Sequence, residues 1–288
     1  MQNIIGIDIG GSHITLAQVQ PEKHELINAT YLRERVDSFA AREIILPAWV
    51  YNINRVIEGL QKEELLIGVA MPAPFDYENG VSLMLQGKFR SLYEVNVKQE
   101  LIQSLGIESK QIHFINDATA FLEGEIYASG IHGYRRIFGI TLGTGLGTAF
   151  YNGSVATDED LWDSPFRESI CEDYLATRWF VNRYNTLTGD TISGVIDLWD
   201  KSEEIRHQMF NEYAVSLAEF ILKYVKYYDP EILLIGGNIA KSFPFFSEQL
   251  QDILQENRMD LNIQISEVFE NAAILGAASH ALKMRNKI

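Results

Sequence analysis

An apolar, β-branched run that breaks at glycines occurs twice in this chain. The first is I-G-I-D-I-G-G-S, from Ile5 to Ser12, and the second is F-G-I-T-L-G-T-G, from Phe138 to Gly145. Each is followed by another apolar run, so each reads as strand, glycine turn, strand. Asn3 to Ile9 and His13 to Val19 make the first pair; Ile137 to Leu142 and Thr148 to Tyr151 make the second. Glycine suits such turns because it lacks a side chain and reaches φ > 0 at little cost. The repetition predicts two similar α/β domains with a cleft between them.

The rest of the chain alternates in the same way. Strands are expected at His24 to Tyr31, Leu65 to Ala70, Ile112 to Ile115, the P-E-I-L-L-I-G-G-N run from Pro230, and Leu261 to Ser266. Helical spacing is expected over Ser38 to Leu60, with a break at Pro47, and over Val97 to Leu105, Ala118 to Ala128, Cys171 to Tyr184 and Glu204 to Tyr228. Two further helices are expected at Ser242 to Glu256 and Asn271 to Met284. Strands alternating with helices in 288 residues define an α/β class with room for two domains.

Charge and cysteine content remove several function classes. A formal net charge of -15 repels a phosphate backbone, so no nucleic-acid partner is expected. Cys171 stands alone, so neither an intrachain disulfide nor a cysteine-rich zinc cluster can form. No apolar run approaches the ~20 residues of a membrane span. The N-terminal M-Q-N-I-I-G-I-D-I reads as a first strand, not a signal peptide. A cytoplasmic protein without a membrane partner is expected.

The turns themselves suggest chemistry. A phosphate is held well by several backbone N–H groups that converge on it, and side chains obstruct that approach. Gly10, Gly11, Gly143 and Gly145 leave the approach open, and Ser12 and Thr144 add hydroxyl donors. No G-x-x-x-x-G-K-[ST] loop is present, and no G-x-G-x-x-G opens a helix after the first strand, which disfavours P-loop and dinucleotide folds. Asp117 stands where a buried strand gives way to a helix. Such a carboxylate either caps the helix or orients and deprotonates an acceptor hydroxyl. Two phosphate-sized turns and one such carboxylate point to phosphoryl transfer to a hydroxyl.

Five stretches carry a more specific resemblance: D-I-G-G-S-H from Asp8, N-D-A-T-A-F-L-E-G-E from Asn116, T-L-G-T-G-L-G-T from Thr141, P-E-I-L-L-I-G-G-N from Pro230, and A-I-L-G-A-A from Ala273. In order and spacing the chain resembles the ROK family of sugar kinases, within the actin/hexokinase/Hsp70 superfamily, over nearly its whole length. The resemblance implies two ribonuclease-H-like (actin-like ATPase) domains. Residues 1–117 and 275–288 would form the smaller N-terminal one, and 118–274 the larger C-terminal one. It implies ATP as cofactor, with Asp8 helping to hold Mg2+ through water. Gly10, Gly11 and Ser12 would face the transferred phosphate. Gly143, Thr144 and Gly145 would form the second phosphate turn, and Gly236, Gly237 and Asn238 would lie by the adenosine. Asp117 would be the catalytic base and Asn116 a sugar ligand, and the implied partners are a sugar, ATP and a second copy of the chain in a homodimer.

The chain also departs from the family pattern. His13 stands where members have lysine, and reads as a surface strand residue. Members carry G-E-x-G-H followed by a zinc-binding C-x-C-G-x-x-G-C-x-E segment; here D-L-W-D-S-P from Asp160 and S-I-C-E-D-Y-L-A-T from Ser169 replace them. No zinc is expected. Asp160 and Glu172 fall where the family's sugar-contacting glutamates lie, and Asp163 replaces the histidine. Trp162 could stack on a sugar face, whereas Trp179 and Phe180 are expected in the core. Repressors of this family carry an added N-terminal helix-turn-helix, for which the turn beginning at residue 8 leaves no room. The expected function is an ATP-dependent kinase of a hexose or amino-hexose; the alternative is a non-catalytic sugar-binding or regulatory protein on the same fold.

Overall fold

The computed structural model describes residues 3–286. It divides into two compact units, one formed by residues up to His132 and from Glu270 onward, the other by Gly133–Phe269. The helix that follows Asp117 therefore lies in the first unit, whereas the sequence reading placed the boundary at 117 and the return at 275.

The first unit is built on a sheet of β1 (Asn3–Ile9), β2 (His13–Gln20), β3 (Glu25–Leu26), β4 (Leu32–Arg35), with α1 (Arg42–Val56) leading to β5 (Leu65–Met71). A small hairpin of β6 (Phe75–Asp76) and β7 (Val81–Ser82), then α2 (Val97–Leu105), precede β8 (Ile112–Asn116) and α3 (Asp117–Ala128). The strand order is β3-β2-β1-β5-β8, with β4 also on β2. β1 and β2 are antiparallel across the glycine turn, while β1, β5 and β8 are parallel. Parallel strands covered on both faces read as unbroken apolar runs, and every residue of β5 is buried. The expected strand His24 to Tyr31 shortens to β3 and a 3-10 turn at Asn28–Thr30. Pro47 lies inside α1 without ending it. The buried stripe Ile45, Trp49, Ile53 and Val56 holds that helix on the core beside Ile5, Ile7 and Val69.

The second unit repeats the plan. Its strands are β9 (Ile137–Leu142), β10 (Leu146–Tyr151), β11 (Ala156–Asp158), and the hairpin β12 (Pro165–Phe166) and β13 (Ser169–Ile170). There follow α4 (Cys171–Leu175), α5 (Thr177–Thr188), α6 (Glu203–Lys223), β14 (Ile232–Gly236), α7 (Ser247–Glu256) and β15 (Ile263–Ile265). The sheet order is β11-β10-β9-β14-β15, again an antiparallel hairpin joined to parallel strands. The expected helix Cys171 to Tyr184 is two helices, because Thr177 donates both its N–H and its hydroxyl to Gly143 O at 2.8 Å. The expected helix to Tyr228 ends at Lys223 in a 3-10 turn, and α7 begins at Ser247 after another. Phe180, Phe210, Tyr213 and Phe246 pack the core under the sheet.

The chain then returns to the first unit as α8 (Ala272–Arg285). This helix lies on β1 and β5 and along α3 with almost no space between backbones. A Cβ on Gly276 would stand 1.7 Å from Ala120 O, and one on Gly124 1.8 Å from Ala272 O. On the sheet, a Cβ on Gly68 would stand 1.9 Å from Ala277 O. These obstacles are backbone atoms that no rotamer change can move. Gly276→Ala is expected to destabilise the protein by about 3 kcal/mol through overpacking, read as a lower midpoint in urea denaturation; a midpoint within error of wild type would contradict the close approach.

Candidate active site

The sequence-selected residues of the first unit gather at the carboxyl ends of its parallel strands, where open α/β sheets expose their ligand-binding loops. Asp8 is the penultimate residue of β1 and pairs in register with Ala70 of β5, which pairs with Ile115 of β8. Gly10, Gly11 and Ser12 form the turn that leaves β1, closed by Gly10 N–H donating to His13 O at 2.9 Å. His13 is half-buried, with its Nδ1 3.0 Å from Ser12 Oγ, and burial, with Arg33 and Arg35 nearby, lowers its pKa.

Asn116, not Asp117, caps α3. Its side-chain oxygen accepts from Thr119 N–H at 2.9 Å, and its amide donates to Tyr77 OH at 3.3 Å. Asp117 is the first helical residue and its Oδ1 accepts from the adjacent Ala118 N–H at 2.9 Å. With the capping position filled by Asn116, the Asp117 carboxylate retains acceptor capacity for another group.

Burial raises the pKa of both carboxyls. Asp8 is pushed up to about 7, first by desolvation and then by the charge of Asp117, with Arg33 pulling the other way. Asp117 is raised by desolvation, and its own backbone hydrogen bonds and Lys88 act against that. Lys88 did not emerge from the sequence. It lies on the loop after β7, and its side chain crosses the glycine turn: a Cβ on Gly11 would stand 2.2 Å from Lys88 Cδ and 2.7 Å from its Nζ. No periodicity marks a lysine in Q-G-K-F; only the flanking buried Met84 and Phe89 hint that the loop is anchored.

In the second unit the second glycine turn leaves β9 at the same end of its sheet. Gly143 N–H donates to Gly145 O at 3.1 Å. Thr144 is exposed. Gly236 ends β14 in register with Thr141, and Gly237, at φ +84, presses on β9, where a Cβ would stand 2.3 Å from Leu142 O. Asn238 follows, exposed. The turn 143–145 and the segment 236–238 are thus neighbours across two parallel strands.

Glu172 joins this group. Its Oε2 accepts from Leu146 N–H at 3.0 Å, and its Oε1 is bonded by Arg178, which also donates to Asp173 Oδ1 at 2.9 Å. Arg178, unnoticed in the sequence, neutralises a carboxylate that would otherwise repel an anion at the turn. Asp160 and Asp163 lie apart from that contact, exposed on the loop before β12. Asp160 has φ +50 and its Oδ1 accepts from the Trp162 indole at 2.8 Å, so Trp162 is partly fixed. Phe180 is fully buried and Trp179 packs on the same core. Among the described residues no group of three or more His, Cys, Asp or Glu could hold a metal ion. No described helix is long and apolar enough to cross a membrane.

The Asp8 shift has a thermodynamic consequence. With a folded pKa of about 7 against 3.8 for the free group, folding takes up a proton between these values. Stability contributed by this site therefore falls as pH rises from about 4 to about 7, and stays low above. Asp8→Asn is expected to be more stable than wild type at pH 8, on the order of 2 kcal/mol, and equal to it near pH 4. Urea denaturation at the two pH values checks this; a stabilisation that does not depend on pH would contradict it.

Known proteins match this arrangement. The model of the ROK family matches residues 4–157. A glucokinase from Thermotoga maritima is 23% identical over 313 aligned positions, covering 96% of either chain. An N-acetyl-D-glucosamine kinase from Salmonella typhi is 24% identical over 220 positions, 65% of this chain and 69% of its own. The solved structure of a ROK family glucokinase from Streptomyces griseus, in complex with glucose and AMPPNP, superposes with a TM-score of 0.76 at 18% identity, covering 98% of this chain and 99% of that one. The repeated strand–glycine–strand plan is that of the two-domain actin-like ATPase fold, and the chain belongs to the ROK family.

Proposed function

We propose that this protein is an ATP-dependent kinase that transfers a phosphoryl group to a hydroxyl of a hexose or amino-hexose. The observation that carries this reading is Asp117: a carboxylate with raised pKa, beside Asp8 at the carboxyl end of the sheet, with the capping duty taken by Asn116. A base whose pKa moves toward neutrality is better matched to take a proton from an alcohol in the transition state. The sugar and amino-sugar kinases among the relatives support the substrate class.

In this mechanism the acceptor hydroxyl donates its hydrogen bond to Asp117. The hydroxyl oxygen forms a bond to the γ-phosphorus as the bond from phosphorus to the β,γ-bridging oxygen breaks, and the proton passes to Asp117 and then to solvent. ADP departs with the bridging oxygen. In the turn of Gly10, Gly11 and Ser12, the N–H groups of Gly11 and Ser12 meet the transferred group, since the Gly10 N–H is taken by His13 O. In the turn 143–145, the N–H groups of Thr144 and Gly145 hold the remaining phosphates, since the Gly143 N–H is taken by Gly145 O, with Gly236, Gly237 and Asn238 at the nucleoside. Asn116, Asp160, Asp163 and Glu172 are the proposed sugar contacts; Glu172 keeps lone pairs for this beyond its bonds to Leu146 and Arg178. Asp8 suits Mg2+, since a carboxylate disfavoured as an anion by burial and by Asp117 gains from a hard dication with oxygen ligands. When bound, that ion neutralises charge on the phosphates.

Coupled detection of ADP across a panel of hexoses and amino-hexoses tests the reading. Sugar-dependent ADP release is expected, with Asp117→Asn lowering kcat by about 10³-fold while AMPPNP affinity stays near wild type and the melting temperature does not fall. A nearly fully active Asp117→Asn removes the base assignment. Sugar binding without ADP release from any sugar favours a sugar-binding regulator.

A further inference from the structure

The loop that carries Lys88 is built more firmly than an exposed lysine requires. Gly87, at φ +71, turns the backbone, and Phe89, at φ +58, turns it again. The Phe89 ring is fully buried and meets Trp49 edge-on at 5.5 Å. Its N–H donates to Ser38 O at 2.7 Å, and Ser91 Oγ donates to Ala40 O at 2.7 Å. The backbone that follows Lys88 is therefore anchored, while the lysine itself is exposed.

That side chain lies on Gly11. Its Cδ, Cε and Nζ occupy the space a Cβ there would fill, at 2.2, 2.5 and 2.7 Å. Its charge also reaches Asp117. Yet Lys88 makes no ion pair among the described residues, whereas Arg33 pairs with Glu270 at 2.8 Å. An ammonium without an ion pair among the described residues thus lies on a turn shaped for a phosphate, and its charge is felt by the carboxylate proposed as base. A lysine is a compact point charge suited to a phosphoryl group whose charge is spread over three oxygens.

We propose that Lys88 is a catalytic residue whose ammonium contacts the transferred phosphoryl group at the Gly10–Ser12 turn. The proposal rests on the phosphotransfer reading above and adds a contact which that reading does not contain. Lys88 binds the γ-phosphoryl oxygens, so it distinguishes a nucleoside triphosphate from a diphosphate.

Calorimetric titration of wild type, Lys88→Met and Lys88→Arg with AMPPNP and with ADP, each with Mg2+, tests this without knowledge of the sugar. Lys88→Met is expected to weaken AMPPNP about tenfold or more and to leave ADP within about twofold; Lys88→Arg is expected to recover part of the loss. With an active sugar, kcat of Lys88→Met should fall about 100-fold with the sugar KM unchanged. An unchanged ratio of AMPPNP to ADP affinity in Lys88→Met overturns the proposal alone, as does an equal loss for both nucleotides. A wild type that binds neither nucleotide overturns the phosphotransfer reading and this proposal with it.

Discussion

The first unit depends on the backbone-to-backbone approach of α8 to α3 and to the sheet. Gly6, Gly68, Gly124 and Gly276 each leave a gap that a single methyl group would close against a carbonyl oxygen. Dispersion is short-ranged, so contact at this distance is available only where side chains are missing. The consequence reaches the candidate site, because α3 begins at Asp117. A helix clamped along its length holds its first residue with it. Asn116 fixes the same end from the other side through its bonds to Thr119 and Tyr77. The Asp117 carboxylate is therefore placed by packing at a distance as much as by its own neighbours.

Charge is distributed unevenly around this scaffold. The chain as a whole is strongly acidic, at -15. At the first turn, however, Asp8 and Asp117 face Lys88 and Arg33. At the second turn, Glu172 and Asp173 face Arg178. A phosphate approaching an acidic protein needs such local compensation, since like charges at short range oppose binding. The first turn has two cations, Lys88 and Arg33, and the second has Arg178, each brought from a different part of the sequence.

Much of the fold is legible in the sequence, for a physical reason. β5 and β14 are buried along their whole length and are uninterrupted apolar runs, and β1, β8 and β9 are mostly apolar runs broken at Asp8, His113 and Thr141. The glycine turns announce themselves because backbone conformation and phosphate access both demand missing side chains. What stays hidden is set by contacts remote in sequence. Nothing local tells that Ala176 interrupts a helix; the cause is the hold of Gly143 O on Thr177. Nothing local tells whether Asn116 or Asp117 caps α3, since both side chains can. Pro47 argues for a break that the buried stripe of α1 overrides. Lys88 lies in a loop without periodicity, and the helical spacing around Arg178 does not tell that it bonds Glu172 and Asp173.

The first unit is interrupted in sequence: all of Gly133–Phe269 lies between its main part and α8. Its central strands and α3 thus have an open flank until a helix more than a hundred positions away arrives. Bringing the ends of so long a loop together costs chain entropy before the contact rewards it, although that cost grows slowly with length. The second unit is continuous in sequence, and its contacts need no segment from elsewhere in the chain. The carboxylate at the head of α3 therefore depends for its placement on a helix from the far end of the chain.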